Sequence, residues 1–350
     1  MTAGLDPRHS VGIAAPGTGG RSRIGMALRV RFLGVAIFLV LLWTVFSISA
    51  DNFLTGGNAR AIVFAAAVLT IAAVGEALVV LTGNLDLSVG STMGLAAYIT
   101  ADVSIGLPGL NVGLVALAVL IGAALGALNG LLVAWLKIPS IVATLGTMSI
   151  YRGLTYVYAD GQQITSNEVP SWFGRLAAGA VLGIPNLVLA AAAVVAVVAL
   201  VLRHTVAGRM LYAVGSNIEA ARFFGLPSTR VVWLAYVAGG AIAGLAGFLY
   251  AAQVGTVTVV LADGWELQVL AAAVIGGVSI WGGSGSVIGV ALGAVVLATI
   301  QNGLILLHVQ AYWQLLIQGV AIALAVAVDA TVSRREVAMN RTRRRVAVTA

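Results

Sequence analysis

The sequence predicts an all-α integral membrane protein with about ten transmembrane helices, both termini cytoplasmic, and a short helix in one cytoplasmic loop. Three observations predict it. First, 60% of the 350 residues are hydrophobic and only 9% are charged, with mean hydropathy +1.05; a soluble domain carries about 25% charged residues. Second, apolar runs approaching the roughly 20 residues of a membrane span recur along the chain. Third, Lys and Arg gather in alternate connecting loops, as they do on the cytoplasmic side of membrane proteins.

Residues 1–28 are rich in Gly, Pro and Arg and lack periodicity, which predicts a flexible cytoplasmic tail. Spans follow near 31–49, 59–82, 87–105, 112–135, 139–158, 184–202, 231–252, 266–281, 287–307 and 312–330, the eighth short enough to be partly re-entrant. The first is read as uncleaved, because it exceeds the about 7–15 apolar residues of a signal peptide. The membrane domain thus covers 29–332, and 333–350 form a basic cytoplasmic tail.

With the N-terminus inside, Lys137, the four arginines of the 203–230 loop and the arginines of both tails are cytoplasmic. Arg60 and Arg175 fall outside, and Arg152 falls within a span. Asp51, Asp160, Glu168, Asp263 and Glu266 lie on the outer side. The net charge of +7 is therefore a mark of topology rather than of nucleic-acid binding. Glycines four residues apart (Gly122, Gly126 and Gly130; Gly240 and Gly244; Gly289 and Gly293) predict close helix crossings in lipid.

Several chemistries are excluded. There is no cysteine, the three histidines follow no metal-ligand spacing, and GxxxxGK[ST], HExxH and GxSxG are all absent. The glycine-rich stretch before 287 fails as a dinucleotide loop, because Ile288 stands where the last glycine is required. Nucleotide hydrolysis by a P-loop is not available to this chain.

Two polar stretches remain. Gly83–Ser91 places Asn84, Asp86, Ser88 and Ser91 between apolar runs. Asp86 and Ser88 either cap the third span or belong to a turn lining a solute path. Thr144, Thr147 and Asn302 add hydroxyl and amide groups at membrane depth. The second stretch, 203–230, contains a short-helix signature: Ser216 three residues before Glu219, the spacing of a reciprocal capping box, then Ala220, Ala221 and a stop at Gly225 and Pro227.

Glu219-Ala220-Ala221 with Gly225 matches the EAA---G pattern of bacterial ATP-binding-cassette (ABC) importer permeases. The chain resembles their ribose/xylose/rhamnose branch, which includes the autoinducer-2 importer. The resemblance is carried by GNLDLSVGSTMG (83–94), NGLLVAWLKIPSIVATLGTMSIYRGL (129–154), GRMLYAVGSNIEAARFFGL (208–226), ELQVLAAAVIGGVSIWGGSGSVIGVALGA (266–294) and YWQLLIQGVAIALAVAVD (312–329). Within that branch the stretch WLKIPSIVATLGTMSIYRG (135–153) looks most like the rhamnose and autoinducer-2 permeases. Glu76 departs from the neutral residue usual there, and Asn84 departs from Gly, Arg or Lys.

The resemblance implies a permease in the bacterial inner membrane that imports a small sugar or autoinducer-2. It also implies a second permease copy or paralogue, ATPase subunits inside carrying ATP and Mg, and a sugar-binding protein outside. It assigns the ATPase contact to Arg209, Tyr212, Gly215, Ser216, Asn217, Glu219, Ala220, Ala221, Arg222 and Gly225. No cofactor or metal is expected on this chain. The outer acids Asp160, Glu168, Asp263 and Glu266 would steer the binding protein. The alternative is an ion-coupled secondary transporter, with Asp86, Glu76 and Arg152 as its relay.

Overall fold

The computed structural model describes residues 19–310 and 312–320, with 323 and 327, and side chains from Leu33 onward. Helix α1 (Gly19–Ser49) begins inside the segment expected as an irregular tail, because Ile24, Met26, Ala27 and Leu28 favour helix and continue into the span. The remainder of that tail, and the tail at 333–350, lie outside the described residues. Then follow α2 (Gly56–Val80), α3 (Val89–Gly106) and α4 (Asn111–Gly130), which runs on as a π-helical turn to Trp135. Next come α5 (Ser140–Ala159), α6 (Ser171–Ala178), α7 (Asn186–His204), α8 (Val206–Ser216) and α9 (Ile218–Phe223). The last named helices are α10 (Ser228–Val254), α11 (Trp265–Ile275) and α12 (Val287–Leu306). Residues 312 to 320 are helical, the described part of the expected tenth span.

Two features depart from an all-α reading with evenly placed spans. A two-stranded hairpin pairs β1 (Ala180–Val181) with β2 (Ile184–Pro185) through Leu182 and Gly183, both at positive φ as a tight hairpin turn requires. More consequentially, α11 holds 11 residues, about 16 Å at 1.5 Å per residue, against the about 30 Å of a bilayer core. The expected eighth span at 266–281 is therefore a half-helix. It stops because Gly277 adopts φ 90, a conformation that cannot continue a helix.

Five helices among the described residues are long and apolar enough to cross a membrane: Gly56–Val80, Pro108–Trp135, Asn186–His204, Ser228–Val254 and Val287–Leu306. α2 and α10 form the buried centre, with α3 and α4 against them. The glycine spacing explains the tightness of α4 on α10. A Cβ on Gly122 would overlap the Gly240 carbonyl, and one on Gly126 the Tyr236 carbonyl. Backbone thus rests on backbone, the contact that small residues permit in lipid.

Candidate functional site

Between the end of α2 and the start of α3 the chain is irregular from 81 to 88, and its polar groups are satisfied by other helices. The Leu85 N–H donates to Ser140 Oγ (3.3 Å) and the Leu87 N–H to Thr144 Oγ1 (3.1 Å), both from α5. Tyr236 of α10 donates its hydroxyl to the Leu85 carbonyl (2.9 Å). Asp86, 6% exposed, accepts from the Ser88 N–H (2.9 Å), the Ser88 hydroxyl (2.6 Å) and the Asn129 amide (3.2 Å). Its own N–H donates to Glu76 Oε1 (3.1 Å). Tyr151 closes the network by donating to Asn129 Oδ1 (3.0 Å).

Of the residues expected along a path, Asp86, Ser88 and Thr144 therefore meet in one buried cluster. Ser91 and Thr147 lie close by, each bonded to its own helix backbone. Asn84 is half-buried and bonds Thr82 (2.9 Å). Asn302 does not belong to this cluster. Its amide donates to Asn58 Oδ1 (2.8 Å) and ties α12 to the start of α2. Asp86 holds the turn that leads into α3, but it does not cap the helix; Ser88 occupies the N-cap position, and its hydroxyl bonds Asp86 rather than the first turn of α3. Glu76, Asn129, Tyr151 and Tyr236 are the cluster members that a search of the polar stretch alone passes over. Their signal was polarity at membrane depth.

Arg152 is not the partner of Glu76. Its guanidinium donates to the carbonyls of Val259 (3.0 Å) and Leu261 (2.9 Å) and lies 3.7 Å from Asp263. These contacts draw the 255–264 loop onto α3, where Gly94 and Gly90 leave room for the Leu261 and Ala262 carbonyls. Asp263 remains exposed beside Arg152, whereas Glu266 is half-buried against Gly90 and does not stand free on an outer rim.

The 203–230 loop folds as two helices. Thr205 caps α8 through the Gly208 N–H (3.1 Å), and Asn217 caps α9 through the Ala220 N–H (2.9 Å). The Ser216–Glu219 capping box does not form. Ser216 ends α8 and donates to the Tyr212 carbonyl (2.7 Å), while Asn217 takes the extended backbone (φ −164) that starts α9 one residue later. Glu219 is left exposed in the first turn. α9 ends as its glycine requires: with Gly225 at φ 75, Leu226 N–H bonds the Ala221 carbonyl and Gly225 N–H the Arg222 carbonyl, a Schellman closure. At the tip Phe223 and Phe224 are 88% and 80% exposed.

The end of α8 is wedged against two breaks in the bundle. The Gly283 N–H donates to the Leu81 carbonyl (3.0 Å), and the Tyr212 hydroxyl to the Gly285 carbonyl (3.1 Å). A Cβ on Gly215 would strike the Leu81 carbonyl, and one on Gly282 would lie 2.6 Å from the Gly83 nitrogen. Three bare stretches of backbone meet here: the start of the Asp86 break, the end of α8 and the loop leading to α12. Among the assigned loop residues, Tyr212, Gly215 and Ser216 join this junction. Asn217, Glu219, Arg222 and Gly225 shape or border the exposed tip, Ala221 is buried beneath it, and Arg209 belongs to α8.

Residues 58–326 match the family described as branched-chain amino acid transport system / permease component. The ribose import permease protein of Escherichia coli K12 is 36% identical over 295 residues, covering 84% of this chain and 92% of that one. The autoinducer 2 import system permease protein of Enterobacter sp. 638 is 41% identical over 255 residues, 73% and 74% of the two chains. That of Escherichia coli K12 / DH10B is 38% identical over 280 residues, 80% of each. No solved structure matches, and nothing in these similarities favours an ion-coupled transporter. ATP hydrolysis resides in a separate ATPase subunit, and an ATPase and a binding protein are the partners of such a permease. The chain belongs to this permease family: it is an inner-membrane permease subunit of an ABC importer, and not an enzyme.

Proposed function

We propose that the chain moves a small sugar of the ribose or rhamnose kind, or autoinducer 2, inward across the membrane, with α8 and α9 receiving the force of ATP binding. The observation that carries this reading is the backbone junction at Gly215. A push on the exposed tip of α9 reaches the Asp86 break and the loop before α12 with no flexible side chain in between. Packed backbones move as bodies rather than deform.

In this reading Phe223 and Phe224 anchor in the ATPase, with Glu219 and Arg222 around them. Both rings are exposed, and aromatic side chains, phenylalanine among them, are enriched in the cores of protein interfaces. ATP and Mg stay on that partner. The bundle has about ten spans with both termini inside, works beside a second copy or paralogue, and lets the solute pass near Asp86, Ser88 and Thr144. The binding protein meets the opposite side, where Asp160 and Glu168 are exposed.

The test is uptake by the complex reconstituted in proteoliposomes with its ATPase and binding protein, using labelled ribose, rhamnose and autoinducer 2 in turn. One solute should accumulate with ATP. Glu219→Lys or Gly225→Asp should abolish accumulation while the permease still inserts. Undiminished uptake by both variants would refute the coupling role.

A further inference from the structure

A crevice of about 280 Å³ opens between α9 and the bundle. Asn84, Lys137, Ser140, Ile218, Arg222 and Thr229 contribute to its walls, so that the break, the turn before α5, α9 and the start of α10 all border it. Its charge is one-sided. Lys137 and Arg222 line it, no Asp or Glu does, and neither cation has an ion-pair partner among the described residues. α5 and α10 both begin at this wall, after Pro139 and Pro227, with no side chain capping their first turns. Their positive ends add to the field of the two cations.

The neighbouring surface is apolar. Trp135, Leu136, Ile141 and Val142, which flank Lys137 and Ser140 in sequence, are exposed, and Trp135 stacks edge-on against Trp233 at 5.6 Å. Tryptophan beside basic residues marks the level where hydrocarbon gives way to water. A free anion in solution has no use for this apolar rim, whereas a lipid has an acyl chain to lay on it.

We infer that the crevice binds the phosphate of an anionic phospholipid, held between Lys137 and Arg222, with its acyl chains against the Trp135–Leu136 and Ile141–Val142 surface. Basic pockets between membrane helices recognise such headgroups. Lys137 belongs to the bundle and Arg222 to α9, so one phosphate would tie the two together and make the seating of α9 depend on lipid charge. The inference rests on the chain being embedded in a bilayer; Arg222 also borders the α9 tip proposed for the ATPase, and a test on the permease without that partner reads the lipid alone.

Native mass spectrometry of the full chain, released from bilayers of mixed phosphatidylcholine and phosphatidylglycerol, tests it. Phosphatidylglycerol should be retained in preference. Lys137→Gly and Arg222→Gln should each weaken retention about fivefold, the worth of about one cation near an anionic lipid surface. Lys137→Gly also suits the local backbone, since position 137 has φ 55, so a loss there is not a folding defect. Arg203→Gln, a cation outside the crevice, should change nothing. Equal retention by the Lys137/Arg222 double variant overturns the inference, as does an equal loss with Arg203→Gln. Inorganic phosphate occupying the site as tightly in pure phosphatidylcholine would overturn the lipid assignment and mark a soluble-anion site.

Discussion

The buried cluster around Asp86 and the exposed tip of α9 are built on opposite plans. In the cluster, Asp86 is satisfied from within the chain, by Ser88 and by Asn129 of another helix, and its own N–H is taken by Glu76. At the tip, two phenylalanines stand in the open with only each other for company, their rings 5.8 Å apart. The difference separates what stabilises the chain from what the chain offers. A change in the cluster should be felt as stability, and a change at the tip as association.

The largest expected effect lies where the two regions join. Gly215→Val drives a branched side chain into the Leu81 carbonyl and the Gly283 nitrogen, both backbone and unable to turn aside. Overpacking of this kind costs about 3 kcal/mol or more. Monodispersity by fluorescence-detected size exclusion should collapse, and a well-behaved, transporting variant would deny the junction its tightness. Asp86→Leu comes next. It strands the Ser88 N–H and the Ser88 hydroxyl proton and leaves the Asn129 amide with the Ser88 oxygen alone, and each buried donor left unsatisfied costs about 1–3 kcal/mol. A melting temperature within a degree of wild type would show that the cluster carries little of the fold.

The tip should respond the other way. Phe223→Ala with Phe224→Ala should leave melting unchanged, because both rings are exposed, yet weaken capture of the ATPase about 30-fold or more, at about 2 kcal/mol for an aromatic anchor. A pull-down titration distinguishes the two. Asn217→Ala should cost α9 about 1 kcal/mol through its lost cap, with Asn217→Ser restoring it, as read by amide hydrogen exchange of 218–223. The smallest effect is at the turn before α6. Glu168 accepts from the Thr165 N–H (2.7 Å) and hydroxyl (2.8 Å), bonds that hold its carboxyl below the usual range. Since the folded value is depressed, the turn is fully held above the ordinary glutamate value and loosens as pH falls through the lowered one. Faster proteolysis at Thr165 in mild acid, absent from Glu168→Gln, would record it.

Much of this plan is legible in the sequence because hydropathy and charge are summed over many residues. The apolar runs locate the long helices, and polar residues at depth point to Asp86, Ser88, Thr144 and Asn129. What escapes is set by single backbone angles and by pairings distant in sequence. The eighth run is short enough to suggest a partly re-entrant segment, but it continues through Val278 and Ile280, so hydropathy does not show that the helix ends before Gly277. Ser216 and Glu219 have capping-box spacing, yet Asn217 between them caps as well as a serine and, in extended backbone, starts α9 one residue later. Arg152 bonds two main-chain carbonyls, which carry no signature of their own, and Asn302 finds Asn58 across most of the chain.

The bare backbone at Gly215, Gly282 and Gly283 has one more consequence. A lever made of peptide groups has the same shape whatever side chains surround it, whereas the Asp86 cluster is closed by the side chains of Asp86, Ser88, Asn129 and Thr144. On the proposed reading, cargo preference and drive are thereby written in different alphabets. Exchanging Thr144, Ser88 or Asn129 for other polar residues should then change which solute is accepted, while the stroke delivered to the cluster stays the same length.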